Sequence, residues 1–198
     1  MTGFKKLLLA ITVMGASTAA MANDNFVSFT LGQTSDKIKK SHAMNSNFNH
    51  PSAAAIDKST TFGVRVGQQN SQGRYYATYD NVSDMNHDGL NLRQENLLGS
   101  YDVFYPVGGS TKLFGGATAG LAKLSQETRG FSRDSNIGYA IGGQLGILQQ
   151  VSQKTSLELG YRYLRSNAST ELSRGGSKKG SVDLTSSAQT YLAANYAF

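Results

Sequence analysis

The stretch Ala188-Gln189-Thr190-Tyr191-Leu192-Ala193-Ala194-Asn195-Tyr196-Ala197-Phe198 decides the reading of this 198-residue chain. Every second residue back from Phe198 gives Tyr196, Ala194, Leu192, Thr190 and Ala188. The intervening set is Ala197, Asn195, Ala193, Tyr191 and Gln189. One face is apolar and ends in aromatics; the other is small and polar. Such alternation predicts a strand with lipid on one side and a hydrated or packed interior on the other. The last strand of a soluble sandwich would alternate in a similar way, so the rest of the chain has to separate the two.

At the other end, Lys5 and Lys6 precede an apolar run from Leu7 to Val13, then small residues and Ala20-Met21-Ala22. A basic segment, a short apolar core and an A-x-A site predict an export signal spanning residues 1–22. The apolar run is too short to cross a bilayer as a helix. Cleavage after Ala22 leaves a domain over 23–198 with 17 basic residues against 13 acidic ones. The chain contains no cysteine, so an exported domain must hold itself together without disulfides.

Period-two segments recur over 25–34, 60–69, 74–83, 93–105, 112–124, 137–149, 156–166 and 182–198. The links between them alternate in length. Asn70–Gly73, Pro106–Thr111 and Gln150–Thr155 are short; Ser35–Ser59, Asp84–Asn91, Ser125–Asn136 and Asn167–Ser181 are long. Outward aromatics split into two belts, with Tyr75, Tyr105, Tyr196 and Phe198 near the short links and Phe62, Tyr79, Tyr139 and Tyr163 near the long ones. The chain therefore reads as an all-β, eight-stranded antiparallel up-and-down transmembrane barrel. No second long apolar run exists, which excludes helical spans.

The whole domain resembles the small eight-stranded outer-membrane barrels: the OmpA transmembrane domain, the OmpX and Ail group, and opacity-type proteins. It is also similar to the accessory colonisation factor barrels. The resemblance makes Phe198, with Tyr196 two residues before it, the signal read by the barrel assembly machinery. It implies an outer-membrane monomer with the long loops outside, in contact with membrane lipid and lipopolysaccharide. Family functions span adhesion, serum resistance, envelope anchoring and occasional lipid-modifying enzymes.

Eight strands leave an interior only wide enough for side chains. The inward set holds Arg65, Asp80, Asp102, Glu158 and Arg162, together with Asn96 and Gln144. Charges there must pair. They form either a salt-bridged plug or a gated ion path, and the plug is the expectation, with Glu158 and Arg162 pairing across strands to Arg65 or Asp102.

Asp84, Asn86, Asp88, Gly89 and Glu95 match the spacing of a calcium loop. No helices flank it, and a solvated hairpin with an Asp-Gly turn explains the same residues. Calcium is thus a candidate ligand, and no other cofactor is expected. The first long link carries Lys37, Lys39, Lys40 and Lys58; the last carries Arg174, Lys178 and Lys179. In a closed barrel these links are neighbours, which predicts a positive patch for host glycans or other polyanions. No aromatics interleave with these lysines, so nucleic acid is not the expected partner. Arg93, Lys123 and Arg165 are expected outward at the rim, facing lipopolysaccharide phosphates. The three histidines, His42, His50 and His87, all fall in links, away from any facing serine, so no catalytic site is expected. The function expected is adhesion through basic outer loops, with a structural envelope barrel and a small pore as alternatives.

Overall fold

The computed structural model describes residues 24–40, 54–87, 90–127, 134–174 and 177–198, with side chains over 24–37, 58–82, 93–125, 135–169 and 183–198. The expected signal segment lies outside the described residues. Among the described residues, nine antiparallel strands follow one another: β1 Asp24–Lys40, β2 Ala54–Gln69, β3 Gly73–His87, β4 Leu90–Pro106, β5 Thr111–Glu127, β6 Asp134–Gln150, β7 Thr155–Ser166, β8 Ser169–Arg174 and β9 Ser177–Ala197. Each pairs with the next up to β7. β9 then pairs β7 and, higher up, β8 on one side, and β1 on the other. β7 and β8 are one wall position interrupted at Asn167–Ala168, so the closed barrel has eight positions.

Closure runs from Phe26↔Ala197 to Lys40↔Val182. The chain end is held by two backbone bonds: Ala197 N–H donates to Lys154 C=O at 2.7 Å, and Phe198 N–H to Asn25 C=O at 2.8 Å. Side chains alternate as the sequence predicts. Phe29, Leu31, Leu157, Leu159 and Leu192 face out, while Tyr191, Ala193 and Asn195 are buried. The belts stand outward at both levels, with Phe198 64% exposed.

The strands continue well beyond the alternating segments. β1 runs to Lys40, β2 starts at Ala54, and β3 and β4 meet through the pair His87↔Leu90. The expected link Asp84–Asn91 is therefore strand at its described residues, and Ser35–Ser59 is strand at Ser35–Lys40 and Ala54–Ser59. Beyond the apolar band the sequence loses its alternation of apolar and polar residues, as in Asp36-Lys37-Ile38-Lys39-Lys40 and Ala54-Ala55-Ile56-Asp57-Lys58, although the ladder persists.

Two apolar layers close the interior. Toward the short turns lie Phe104, Phe114, Leu148, Tyr191 and Ala193. Toward the hairpins lie Leu98, Ala122, Leu124, Ala140, Leu164, Ala168 and Leu184. Leu184 turns inward because a bulge between Lys37 and Ile38, opposite Ser186 and Leu184, shifts the register of β9. Glycine provides the room these large side chains need. A Cβ at Gly160 would collide with the Tyr191 ring, while one at Gly109, in a short turn, meets nothing within 4 Å.

Gly160→Ala is expected to destabilise the folded barrel by about 1–3 kcal/mol through overpacking. Urea unfolding in detergent should show this, with Gly109→Ala superposing on the parent curve.

Candidate functional site

Two constellations carry the chemistry: the charge network of the lumen and the cations of the hairpin-end rim. In the lumen, Glu158 on β7 bridges two arginines. Its Oε1 accepts from Arg65 Nη1 at 2.9 Å and its Oε2 from Arg74 Nη1 at 2.7 Å. Arg74 Nε also donates to Asp102 Oδ2 at 2.8 Å, an oxygen that accepts from the Tyr76 hydroxyl at 3.0 Å. Gln144 Nε2 reaches Asp102 Oδ1 at 2.6 Å. A second group joins Arg162 to Asp80 and Gln189. All these charged side chains are buried.

Glu158 pairs with Arg65, one of the partners left open by the sequence, whereas Arg162 goes to Asp80, which was not among them. Arg74 is the residue the pattern should have supplied: it shares the parity of Tyr76, Thr78 and Asp80, but its place at the first turn of β3 obscured it. Its guanidinium sits in an aromatic cage, 4.8 Å from the Phe114 centroid, 5.0 Å from Tyr76, 5.6 Å from Phe104 and 5.9 Å from Phe26. Arg65 lies 4.3 Å from the Tyr191 centroid. Cation–π contacts of this kind stabilise a desolvated guanidinium by up to about 2 kcal/mol each. Three arginines and the three carboxylates that pair with them are packed together in the interior, with aromatic rings over Arg65 and Arg74.

At the rim, Lys37, Lys58, Arg93 and Arg165 are exposed and Lys123 is half-exposed. Their strand parity is that of the lipid-facing residues. Among the described residues, every outward-facing strand lysine or arginine lies at this end. Glu95 sits among them, accepting from Tyr79 Oη at 2.8 Å and Lys123 Nζ at 3.3 Å, with Arg93 Nη2 at 3.7 Å. The anchored carboxylate fixes Lys123 and leaves Arg93 52% exposed at the side chain.

The register places Lys39 opposite Asp183, Lys40 opposite Val182, Arg174 opposite Ser177 and Ser173 opposite Lys178, with Lys179 at the adjoining irregularity. The backbone therefore brings the first and last basic segments together, on strands where links were expected. The side chains of Lys39, Lys40, Arg174, Lys178 and Lys179 lie outside the described residues.

The pairs Met85↔Leu92, Asn86↔Asn91 and His87↔Leu90 put the two flanks of the expected calcium loop on β3 and β4, while Asp88 and Gly89 lie outside the described residues. Glu95 is already engaged by Tyr79 and Lys123. The side chains of Asp84, Asn86 and Asp88, like those of the histidines, lie outside the described residues.

These features define an eight-stranded β-barrel of the outer-membrane type. Comparison with protein-family models and with curated proteins returned no match. Among solved structures, Neisserial surface protein A shares the fold at 15% identity and a TM-score of 0.67, covering 90% of this chain and 100% of that one. Ail of Yersinia pestis does so at 11% identity and a TM-score of 0.52, covering 88% and 99%. Outer membrane protein H of Pseudomonas aeruginosa is 59% identical, with a TM-score of 0.57 over 88% of this chain and 99% of that one. The chain belongs to the family of outer membrane protein H, and its place is the bacterial outer membrane.

Removing Glu158 takes from buried Arg65 its carboxylate partner and leaves Arg74 with Asp102 alone, so Glu158→Ala is expected to cost about 3–5 kcal/mol of stability. Asp102→Asn, whose amide still has Tyr76 and Gln144 beside it, should cost less. Unfolding midpoints of the two variants in one detergent would check the order.

Proposed function

We propose that this is a non-enzymatic surface barrel that binds phosphate- or sulfate-bearing polyanions at its long-hairpin end, which faces the cell exterior. The observation that carries the reading is the one-ended distribution of outward cations. Lys37, Lys58, Arg93, Lys123 and Arg165 stand beside or beyond the aromatic belt of Phe62, Tyr79, Tyr139 and Tyr163. Outward strand positions at the opposite belt carry none among the described residues. A lateral ring of cations at headgroup height complements the anionic phosphates of lipopolysaccharide in the surrounding leaflet. The role that follows is reinforcement of the envelope, by a barrel whose filled interior adds stiffness and no passage.

A second reading concerns a ligand from outside the cell. The register gathers Lys37, Lys39, Lys40, Lys58, Arg174, Lys178 and Lys179 on neighbouring strands, a patch suited to sulfated host glycans and adhesion. Ail, with the same fold, has been seen in complex with the heparin analogue sucrose octasulfate.

Folded protein is expected to bind lipopolysaccharide-containing vesicles, with affinity falling steeply as salt shortens the screening length from about 10 Å at 0.1 M to about 3 Å at 1 M. Arg93→Ser with Lys123→Ser should weaken that binding. Serine at Lys37, Lys39, Lys40, Lys178 and Lys179 should abolish retention on heparin. Salt-independent binding, or charge variants that bind like the parent, would overturn the reading. Planar bilayers should remain silent; discrete conductance steps would replace the plug by a pore.

A further inference from the structure

Above the belt of Phe62 and Tyr79 the barrel wall divides. β2 pairs β1 from Ala54 to Gln69, but its ladder with β3 ends at Thr61↔Val82. β3 continues past that point paired to β4 alone, to His87↔Leu90. On the other side of the barrel, the β6–β7 ladder ends at Ala140↔Ser166, while β6 continues to Asp134 paired to β5. The two breaks lie four wall positions apart. They split the hairpin end into one blade of β7/β8, β9, β1 and β2 and another of β3, β4, β5 and β6.

The two breaks are not equivalent. At β6, the Asn167 N–H donates to Tyr139 C=O at 3.3 Å, and Asn167 Oδ1 accepts from Tyr139 N–H at 2.8 Å. Behind them Ala168, Leu164 and Leu184 pack on Leu98, Leu124 and Ala140. That break is sealed. At β2/β3, no ladder bond joins the blades beyond Thr61↔Val82 among the described residues. Cations flank this open break instead, with Lys58 on β2 and Arg93 on β4. Across an intact sheet they would stand two strand spacings apart, about 10 Å. Their like charges oppose closing of the break when nothing lies between them. Arg93 and Lys123 are held by Glu95 on the continuous β3–β4–β5 ladder, so this side is the fixed one.

We propose that the hairpin end is a two-bladed jaw, and that a polyanion bridging Lys58 to Arg93 and Lys123 clamps it across the β2/β3 break. The inference rests on the polyanion reading above and adds a geometric requirement. The ligand must carry several anionic groups spaced to reach both sides, so a lone phosphate or sulfate binds one blade and leaves the jaw unclamped.

The chain has no cysteine, so Thr60→Cys with Ser83→Cys places one spin label on each side of the break. The full chain, folded in a detergent micelle, would be measured with sucrose octasulfate and with inorganic sulfate at equal charge concentration. Octasulfate should narrow and shorten the label–label distance distribution, and sulfate should leave it broad. Lys58→Ser should weaken octasulfate binding about tenfold, the loss of one charge-assisted contact, and abolish the narrowing. Lys58→Arg should restore both. Octasulfate that binds without narrowing, or that narrows the Lys58→Ser distribution equally, overturns the jaw and leaves the polyanion reading standing. No octasulfate or vesicle binding at low salt overturns that reading and the jaw with it.

Discussion

The rest of this structure depends on the pairing of β1 with β9. In hydrocarbon, an unpaired backbone N–H or C=O costs several kcal/mol, so a sheet can cross only if it has no edge. Closing eight positions removes the edge and also fixes the bore. A bore of that width cannot hold bulk water, so every inward side chain becomes part of a core. Pairing of charge follows from the same width: Arg65, Arg74 and Arg162 each meet a carboxylate, and the rings of Tyr191, Tyr76, Phe104 and Phe114 lie over the guanidinium groups of Arg65 and Arg74.

The same constraint explains where closure lapses. Both ladder breaks lie next to the outer aromatic belt, one just beyond Phe62 and Tyr79, the other at Tyr139. Below that level a break would expose backbone to lipid; above it, water satisfies the same groups at little cost. Strands therefore continue upward in two groups with no requirement to meet. The β6 break is sealed because apolar side chains happen to converge behind it, while the β2 break has small polar neighbours such as Ser59 and Thr61.

The sequence displayed the membrane-level fold almost completely, because lipid on one face and a core on the other impose period two on every strand. Tyr196 and Tyr191 fell on the correct faces by parity alone. Strand length was hidden wherever water wets both faces, which is why Lys37–Lys40 and Ala54–Ser59 read as link and proved to be ladder. Arg74 was legible in principle and was obscured by its position next to a turn. The partners of Glu158 and Arg162 were not legible, since pairing across the lumen depends on strand stagger, which alternation does not encode. β8 was missed for a related reason: Asn167 and Ala168 interrupt its strand, the Asn167 N–H donating to Tyr139 C=O on β6 and the Ala168 C=O accepting from Leu184 N–H on β9, bonds that no local pattern announces.

The lumen and the rim divide the protein's charge between them for one reason. A buried cation must bring its own counter-ion, because the site admits nothing else, and Arg65, Arg74 and Arg162 all have theirs. An outward cation above the belt faces water and lipid headgroups and can leave its counter-ion to be supplied from outside. Glu95 marks the boundary. It neutralises Lys123 where that residue adjoins the apolar band, yet at 3.7 Å it holds Arg93 loosely and leaves it largely exposed. Arg93 is thus open to an external counter-ion at low desolvation cost, whereas an anion entering the lumen would have to compete with the carboxylates already on Arg65, Arg74 and Arg162. The interior fixes the shape, and the chemistry available to a partner lies at the rim.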